Sequence, residues 1–130
     1  MEDGKKTFTN DSFSEAVIGR AIEVHRQLGP GLLESTYEEC LCLELREHGF
    51  AVRRQVNVPI SYKGRQIAAI YRLDLVVGER IVIEVKAVEK IAPVHEAQLL
   101  TYMKHTSIPT GLLFNFNVPL LRDGMRRLSL

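Results

Sequence analysis

The run Ile81-Val82-Ile83-Glu84-Val85-Lys86-Ala87 is apolar enough for a strand covered on both faces, yet two charges interrupt it. Glu84 and Lys86 are two residues apart, so in a strand they share a face. A third charge, Asp74, breaks Leu73-Asp74-Leu75-Val76-Val77 in the same way. Burying charge is costly unless the groups are paired or bind a metal, which makes these positions candidates for chemistry. Register decides whether the carboxylates meet. Directly opposed residues of an antiparallel hairpin share a face. A three-residue turn at Gly78-Glu79-Arg80 sets Val77 opposite Ile81 and Asp74 opposite Glu84. A two-residue turn would set Asp74 opposite Ile83, on the other face. Three-residue hairpin loops are common and often contain glycine. The odd loop also gathers Leu73, Leu75, Val77, Ile81, Ile83 and Val85 on one apolar face, leaving Val76, Val82, Asp74, Glu84 and Lys86 on the other. The apolar pattern therefore favours the register that clusters two carboxylates and a lysine.

Two carboxylates at close range repel, and one normally takes up a proton. A hard divalent cation removes the conflict, and Mg²⁺ prefers carboxylates, water and phosphate oxygens. Such an ion acidifies water and stabilises charge on a phosphoryl group. A neighbouring lysine can orient that water or stabilise charge in the transition state. The alternative is structural, with Lys86 pairing Glu84 or Asp74 as a buried ion pair. Physical chemistry alone leaves both readings open.

The elements that must position this pair are legible on either side of it. Val17, Ala21, Val24 and Leu28 recur at helical spacing, which predicts a helix over about 12–27, with Ser12 and Glu15 resembling a capping box. Gly29-Pro30-Gly31 stops it. A second helix is expected from Leu33 or Glu34 to just before Gly49, with Tyr37, Leu41 and Leu45 facing inward. Alternating Val52, Val56, Val58 and Ile60 predict a strand over 50–60. A turn at Lys63-Gly64 precedes a strand over 67–77, and a third strand covers 81–88. Pro93 suits the first turn of a helix reaching about His105. A fourth strand covers 110–116, and a basic ending, 125–130, fits an edge strand. The order α-α-β-β-β-α-β-(β) predicts one α/β domain, a mixed central sheet flanked by helices, over 12–130. Residues 1–11 are expected to be a flexible tail.

The chain has 130 residues, 45% of them hydrophobic, enough for a real core. Seventeen basic and sixteen acidic residues leave a net charge of +1, so no global basic excess announces nucleic acid. No leader-like apolar run follows Met1, and no stretch is apolar enough to span a membrane. Cys40 and Cys42 lack companions for a zinc site and fit reduced thiols, so a cytoplasmic location is expected. Of the four histidines, His48 and His105 fall near helix ends, and only His95 lies close to the expected cleft. Lys90, Lys104, Arg126 and Arg127 are basic enough to touch phosphates but fit a solvated surface equally well.

Asp74 followed by Glu84-Val85-Lys86 resembles the D…(D/E)-x-K signature of the PD-(D/E)XK nucleases, with Leu73 in place of the nominal proline. Gly31-Leu32-Leu33-Glu34-Ser35-Thr36-Tyr37 is similar to the G-x-x-E-x-x-Y motif of the GxxExxY branch of that superfamily. Gln98-Leu99-Leu100-Thr101-Tyr102 resembles the Q-x-x-x-Y motif of RecB-type nucleases. The similarity runs from about residue 14 to 128. It implies a restriction-endonuclease-like fold and Mg²⁺- or Mn²⁺-dependent hydrolysis of phosphodiester bonds in DNA or RNA. It further implies that Asp74, Glu84 and the Val85 carbonyl ligate the metal, that Glu34 adds a ligand or water contact, that Lys86 assists, and that Gln98 and Tyr102 position water or phosphate. Glu34 shares the stripe of Leu41 and Leu45 and is expected to point inward. The competing class is a non-catalytic nuclease-fold module that binds nucleic acid or a protein partner. The intact Asp74, Glu84 and Lys86 set favours the enzyme, whereas the small size and neutral charge favour the binder or a partner-dependent enzyme; a homo-oligomer is also left open.

Overall fold

A computed structural model describes residues 10–130, with side chains from Ser12 onward. The expected flexible tail lies, up to residue 9, outside the described residues. Helix α1 (Asn10–Leu28) begins two residues before Ser12, so Ser12 and Glu15 sit inside it and do not cap it. Helix α2 (Glu34–Glu47) follows the Gly29–Gly31 turn. Strand β1 (Val52–Val58), a small hairpin of β2 (Ser61–Tyr62) and β3 (Arg65–Gln66), then β4 (Tyr71–Val77) and β5 (Ile81–Lys86) come next. Helix α3 (Pro93–Thr106) links β5 to β6 (Thr110–Asn115), and a short 3₁₀ turn leads to β7 (Met125–Ser129).

Five strands form one mixed sheet in the order β1-β4-β5-β6-β7, with only β5 and β6 parallel. The expected basic edge strand is β7, paired with β6. Two differences from expectation concern the middle of the chain. The strand expected from Ile67 begins only at Tyr71, and the Lys63-Gly64 turn serves the separate hairpin β2–β3. Both turn residues have positive φ, 50° and 77°, as a tight type I′ hairpin requires.

The sheet is covered on both faces, which explains the unbroken apolar run of β5. On one face α1 and α2 pack Val17, Ala21, Tyr37, Leu41 and Leu45 against Leu75, Val77, Ile81, Ile83 and Val85. On the other, Leu99, Tyr102 and Met103 of α3 pack against Val76, Val82 and Leu113. Leu73 joins this second face, not the face of Leu75 where simple alternation placed it. The cause is local: at Asp74 the ladder to β5 ends and the ladder to β1 is interrupted, as described below.

Helix α3 lies close to β6 at Gly111. A Cβ there would stand 2.5 Å from Met103 Sδ and 3.0 Å from Leu99 Cγ. Gly111→Ala therefore overpacks a filled core and is expected to lower stability by roughly 1–3 kcal/mol. Urea unfolding reads this directly, and an unchanged midpoint would contradict the close approach.

Tyr37 ties the turn between α1 and α2 to the core. Its hydroxyl donates to the Gly29 carbonyl at 2.5 Å and accepts from the Leu32 amide at 3.1 Å. Its ring stacks on Phe116 with centroids 4.6 Å apart. The glycine and tyrosine of the Gly31–Tyr37 motif thus serve the turn that fixes the start of α2. Gly31 has φ +103°, a conformation that glycine adopts readily.

Candidate active site

The β4–β5 hairpin carries the two carboxylates. Its turn has positive φ at Gly78 (59°) and Glu79 (55°), and the Arg80 amide donates to the Val77 carbonyl at 3.0 Å. Val77 pairs with Ile81, Val76 with Val82 and Leu75 with Ile83, the register of a three-residue turn. Continued by one step, this register sets Asp74 opposite Glu84. The backbone ladder ends before that step, and side chains take it over. The Asp74 amide donates to Glu84 Oε2 at 2.8 Å, and the Val85 amide donates to Asp74 Oδ2 at 2.7 Å. Each carboxylate is therefore anchored through one oxygen by the backbone of the opposite strand.

The ladder also breaks on the β1 side. Arg54 pairs with Leu75 and Val56 with Leu73, but Gln55, opposite Asp74, is unpaired in the ladder and has φ +54°. Left-handed backbone at a non-glycine residue costs about 1–2 kcal/mol, and such strain concentrates at functional positions. In this conformation Gln55 Nε2 donates to both oxygens of Glu38 at 2.9 Å and approaches Asp74 Oδ1 at 3.4 Å. Arg54 Nε donates to Glu38 Oε2 at 2.6 Å. Glu38 is buried, and it comes from α2.

Glu38 is the acid that α2 brings to the centre, and the sequence reading did not single it out. The signal was present, because Glu38 lies one turn after Glu34 and three residues before Leu41, on the same stripe. Glu34 itself is exposed, contrary to the inward orientation expected of it. As the first residue of α2 it stands at the rim, where its Oε2 accepts from the Ala87 amide at 3.2 Å, one residue past Lys86.

Electrostatics mark the pair as unusual. Burial, with the adjacent Asp74 charge, pushes the Glu84 carboxyl up to about 8. Burial also pushes Asp74 up to about 6, against the pull of the Val85 amide, and Glu38 adds to the rise. Lys86, half-buried on the same face, acts the other way on both groups. From α3, Tyr102 is buried with its hydroxyl raised by burial and by the charges of Glu84 and Asp74, while a hydrogen bond from Gln98 opposes this. The structure thus brings Asp74, Glu84, Val85, Lys86, Gln98 and Tyr102 to one end of β5, adds Glu38 and Gln55, and leaves Glu34 at the edge. His95 caps α3 instead of entering the centre, its Nδ1 accepting from the Ala92 amide at 3.0 Å. Of the surface cations, Arg126 lies 3.7 Å from Glu96.

Glu38→Gln removes a negative charge facing Asp74. The Asp74 carboxyl is expected to titrate lower in this variant, as followed by carbon-13 NMR of the side-chain carboxyls. An Asp74 titration identical to wild type would remove Glu38 from the centre.

The donor set suits a hard cation in part. Among the described residues, no group of three or more His, Cys, Asp or Glu side chains is placed to hold a metal ion alone. Mg²⁺ does not need such a cage, since it commonly takes one or two carboxylates and completes its shell with water and phosphate. Two anchored, mutually repelling carboxylates are donors of that kind. Glu38 is committed to Arg54 and Gln55 and is not counted among them.

The family model described as PD-(D/E)XK nuclease superfamily matches residues 11–128, and the chain belongs to that superfamily. Its mixed five-stranded sheet flanked by helices is the architecture expected of such a member. No curated protein and no solved structure matches the chain. Among the described residues, no helix is long and apolar enough to cross a membrane.

Proposed function

We propose that this protein hydrolyses phosphodiester bonds in DNA or RNA with Mg²⁺ or Mn²⁺ at Asp74 and Glu84. The observation that carries the reading is the break in both ladders of β4 at Asp74. There one buried and one half-buried carboxyl, both with raised proton affinity, are fixed by backbone amides beside Lys86. A structural ion pair has no use for a second and third carboxylate at the same place. Asp74, Glu84 and the Val85 carbonyl would hold the cation, which when bound supplies an acidified water and neutralises phosphate charge. Lys86 places a positive charge next to the attacked phosphate. Gln98 and Tyr102 offer an amide and a hydroxyl from the α3 side to orient water or a phosphate oxygen. Glu34 holds the Ala87 amide, and so positions the end of β5.

Within the superfamily, the Gly31–Tyr37 and Gln98–Tyr102 motifs support assignment to the GxxExxY, RecB-like branch. The cysteines are free, Cys42 buried and Cys40 half-buried, which suits a reducing cytoplasm. The experiment is a cleavage screen of labelled single- and double-stranded DNA and RNA with Mg²⁺ or Mn²⁺. At least one substrate is expected to be cut, and a chelator should stop the reaction. Intact substrates throughout would favour a binding module instead.

A further inference from the structure

A cleft of about 240 Å³ adjoins the carboxylate centre, lined by Ile60, Ile67 and Tyr71 on one side and Gln98, Thr101 and Tyr102 of α3 on the other. Tyr102 belongs to both places, since its hydroxyl feels the charges of Glu84 and Asp74 as well as Tyr71. The outer wall is the base of the β2–β3 hairpin, closed by the Ile67 amide donating to the Ile60 carbonyl at 2.9 Å. This wall is apolar but open to solvent, with Tyr71 45% exposed and Ile67 41%. The surrounding chain is one-sided in charge. From His48 to Leu73 there is no acidic residue, while Lys63, Arg65 and Arg72 lie beside the cleft-lining positions in sequence. Among the described residues no ion pair engages these three cations. Lys63 stands 5.4 Å from the centroid of the exposed Tyr62 ring.

An apolar slot with an aromatic wall, built on a chain segment whose only charges are basic and adjoining the carboxylate centre, matches one chemistry. Bases stack on aromatic faces while cations track the backbone, which is how single strands are held. The cleft is smaller than the roughly 300–1,000 Å³ pockets that enclose drug-sized ligands, which suits a single ring system. We propose that this cleft receives an unpaired nucleobase of the strand whose phosphate is presented to Asp74 and Glu84, so that the protein selects single-stranded or frayed nucleic acid over continuous duplex. The inference rests on the nuclease reading for its phosphate position. The base is the occupant, and Tyr71 is its stacking partner.

The test is fluorescence anisotropy at low salt with a chelator present, so that binding is read without cleavage. The probes are single-stranded DNA, single-stranded RNA, a single-stranded DNA with abasic sites, and a blunt duplex. Wild type is expected to bind the single strands more tightly than the duplex and to lose affinity for the abasic strand. The DNA and RNA arms show which sugar the site accepts. Tyr71→Ala should weaken single-strand binding by roughly ten- to a hundredfold. Tyr71→Phe keeps the ring and should bind like wild type. Tyr71 is partly exposed, so neither variant threatens the fold, and a circular dichroism melt confirms this. Equal affinity for single strand, abasic strand and duplex would overturn the proposal, as would unchanged binding by Tyr71→Ala or no binding to any probe. The nuclease reading fails separately: single-strand preference without metal-dependent cleavage keeps the cleft assignment and removes the catalytic one. Cleavage with no base preference does the reverse.

Discussion

Glu84→Gln is expected to make the metal-free protein more stable above neutral pH, reversing the usual direction of a substitution at a buried charged site. The folded Glu84 carboxyl lies at about 8, above the ordinary glutamate value of 4.5, because burial and Asp74 both disfavour its charge. A carboxyl raised on folding contributes its stability while protonated. That contribution is complete below the unfolded value near 4.5 and is lost as pH rises through about 8. Asp74 behaves alike over a lower window, from 3.8 to about 6. The metal-free wild type should therefore lose roughly 3–5 kcal/mol between pH 5 and 9 from this pair. For a chain of this length the melting temperature should fall by about 10 °C or more. Glutamine keeps a carbonyl to accept the Asp74 amide but cannot ionise, so most of the slope should vanish. Calorimetric melts at several pH values, with chelator, measure it. A wild-type melting temperature that rises between pH 5 and 9, or a slope that Glu84→Gln leaves intact, would contradict the raised proton affinity of this pair. Added Mg²⁺ should stabilise wild type at high pH and leave Glu84→Gln nearly unchanged, because a ligand of the folded state stabilises in proportion to its affinity.

Lys86→Ala is expected to reduce the cleavage rate by roughly 10²–10³, the value of one well-placed donor at a developing charge. Its positive charge opposes the rise in both carboxyls, yet no ion pair among the described residues joins it to either. Metal binding should survive and could tighten, since a repelling cation is lost while both carboxylates remain. Were Lys86 only the partner of a buried pair, its removal would cost roughly 3–5 kcal/mol of stability. Single-turnover cleavage and thermal unfolding on the same preparation separate the cases. Full activity in a folded Lys86→Ala would exclude the catalytic role.

The register of the β4–β5 hairpin was legible because two signals agreed: glycine in an odd-length turn, and apolar alternation on both strands. Alternation failed at Leu73 because the ladder opens at Asp74, where side chains replace backbone pairing. Nothing in sequence announces such a break. Gln55 was invisible for the same reason, since a left-handed glutamine inside a valine-rich strand has no compositional mark. Glu38 differed, because helical spacing placed it beside Leu41, and attention to Glu34 one turn earlier obscured it. The β2–β3 hairpin was half legible. Its Lys63-Gly64 turn stood out, but strands of two residues each, all exposed, carry no periodicity to detect. The inward position expected of Tyr37 takes its form from stacking on Phe116 and from bonds to the Gly29–Leu32 turn.

The proposed function requires Asp74 and Glu84 to act as one metal-dependent hydrolytic centre. The most direct measurement compares wild type and Glu84→Gln, purified side by side, on whichever nucleic acid the screen shows to be cut, with Mg²⁺ and with chelator. Wild type is expected to give metal-dependent product and none with chelator, and a folded Glu84→Gln to cleave more slowly by orders of magnitude. Equal cleavage by the two proteins, or cleavage that persists with chelator, would contradict the proposed function.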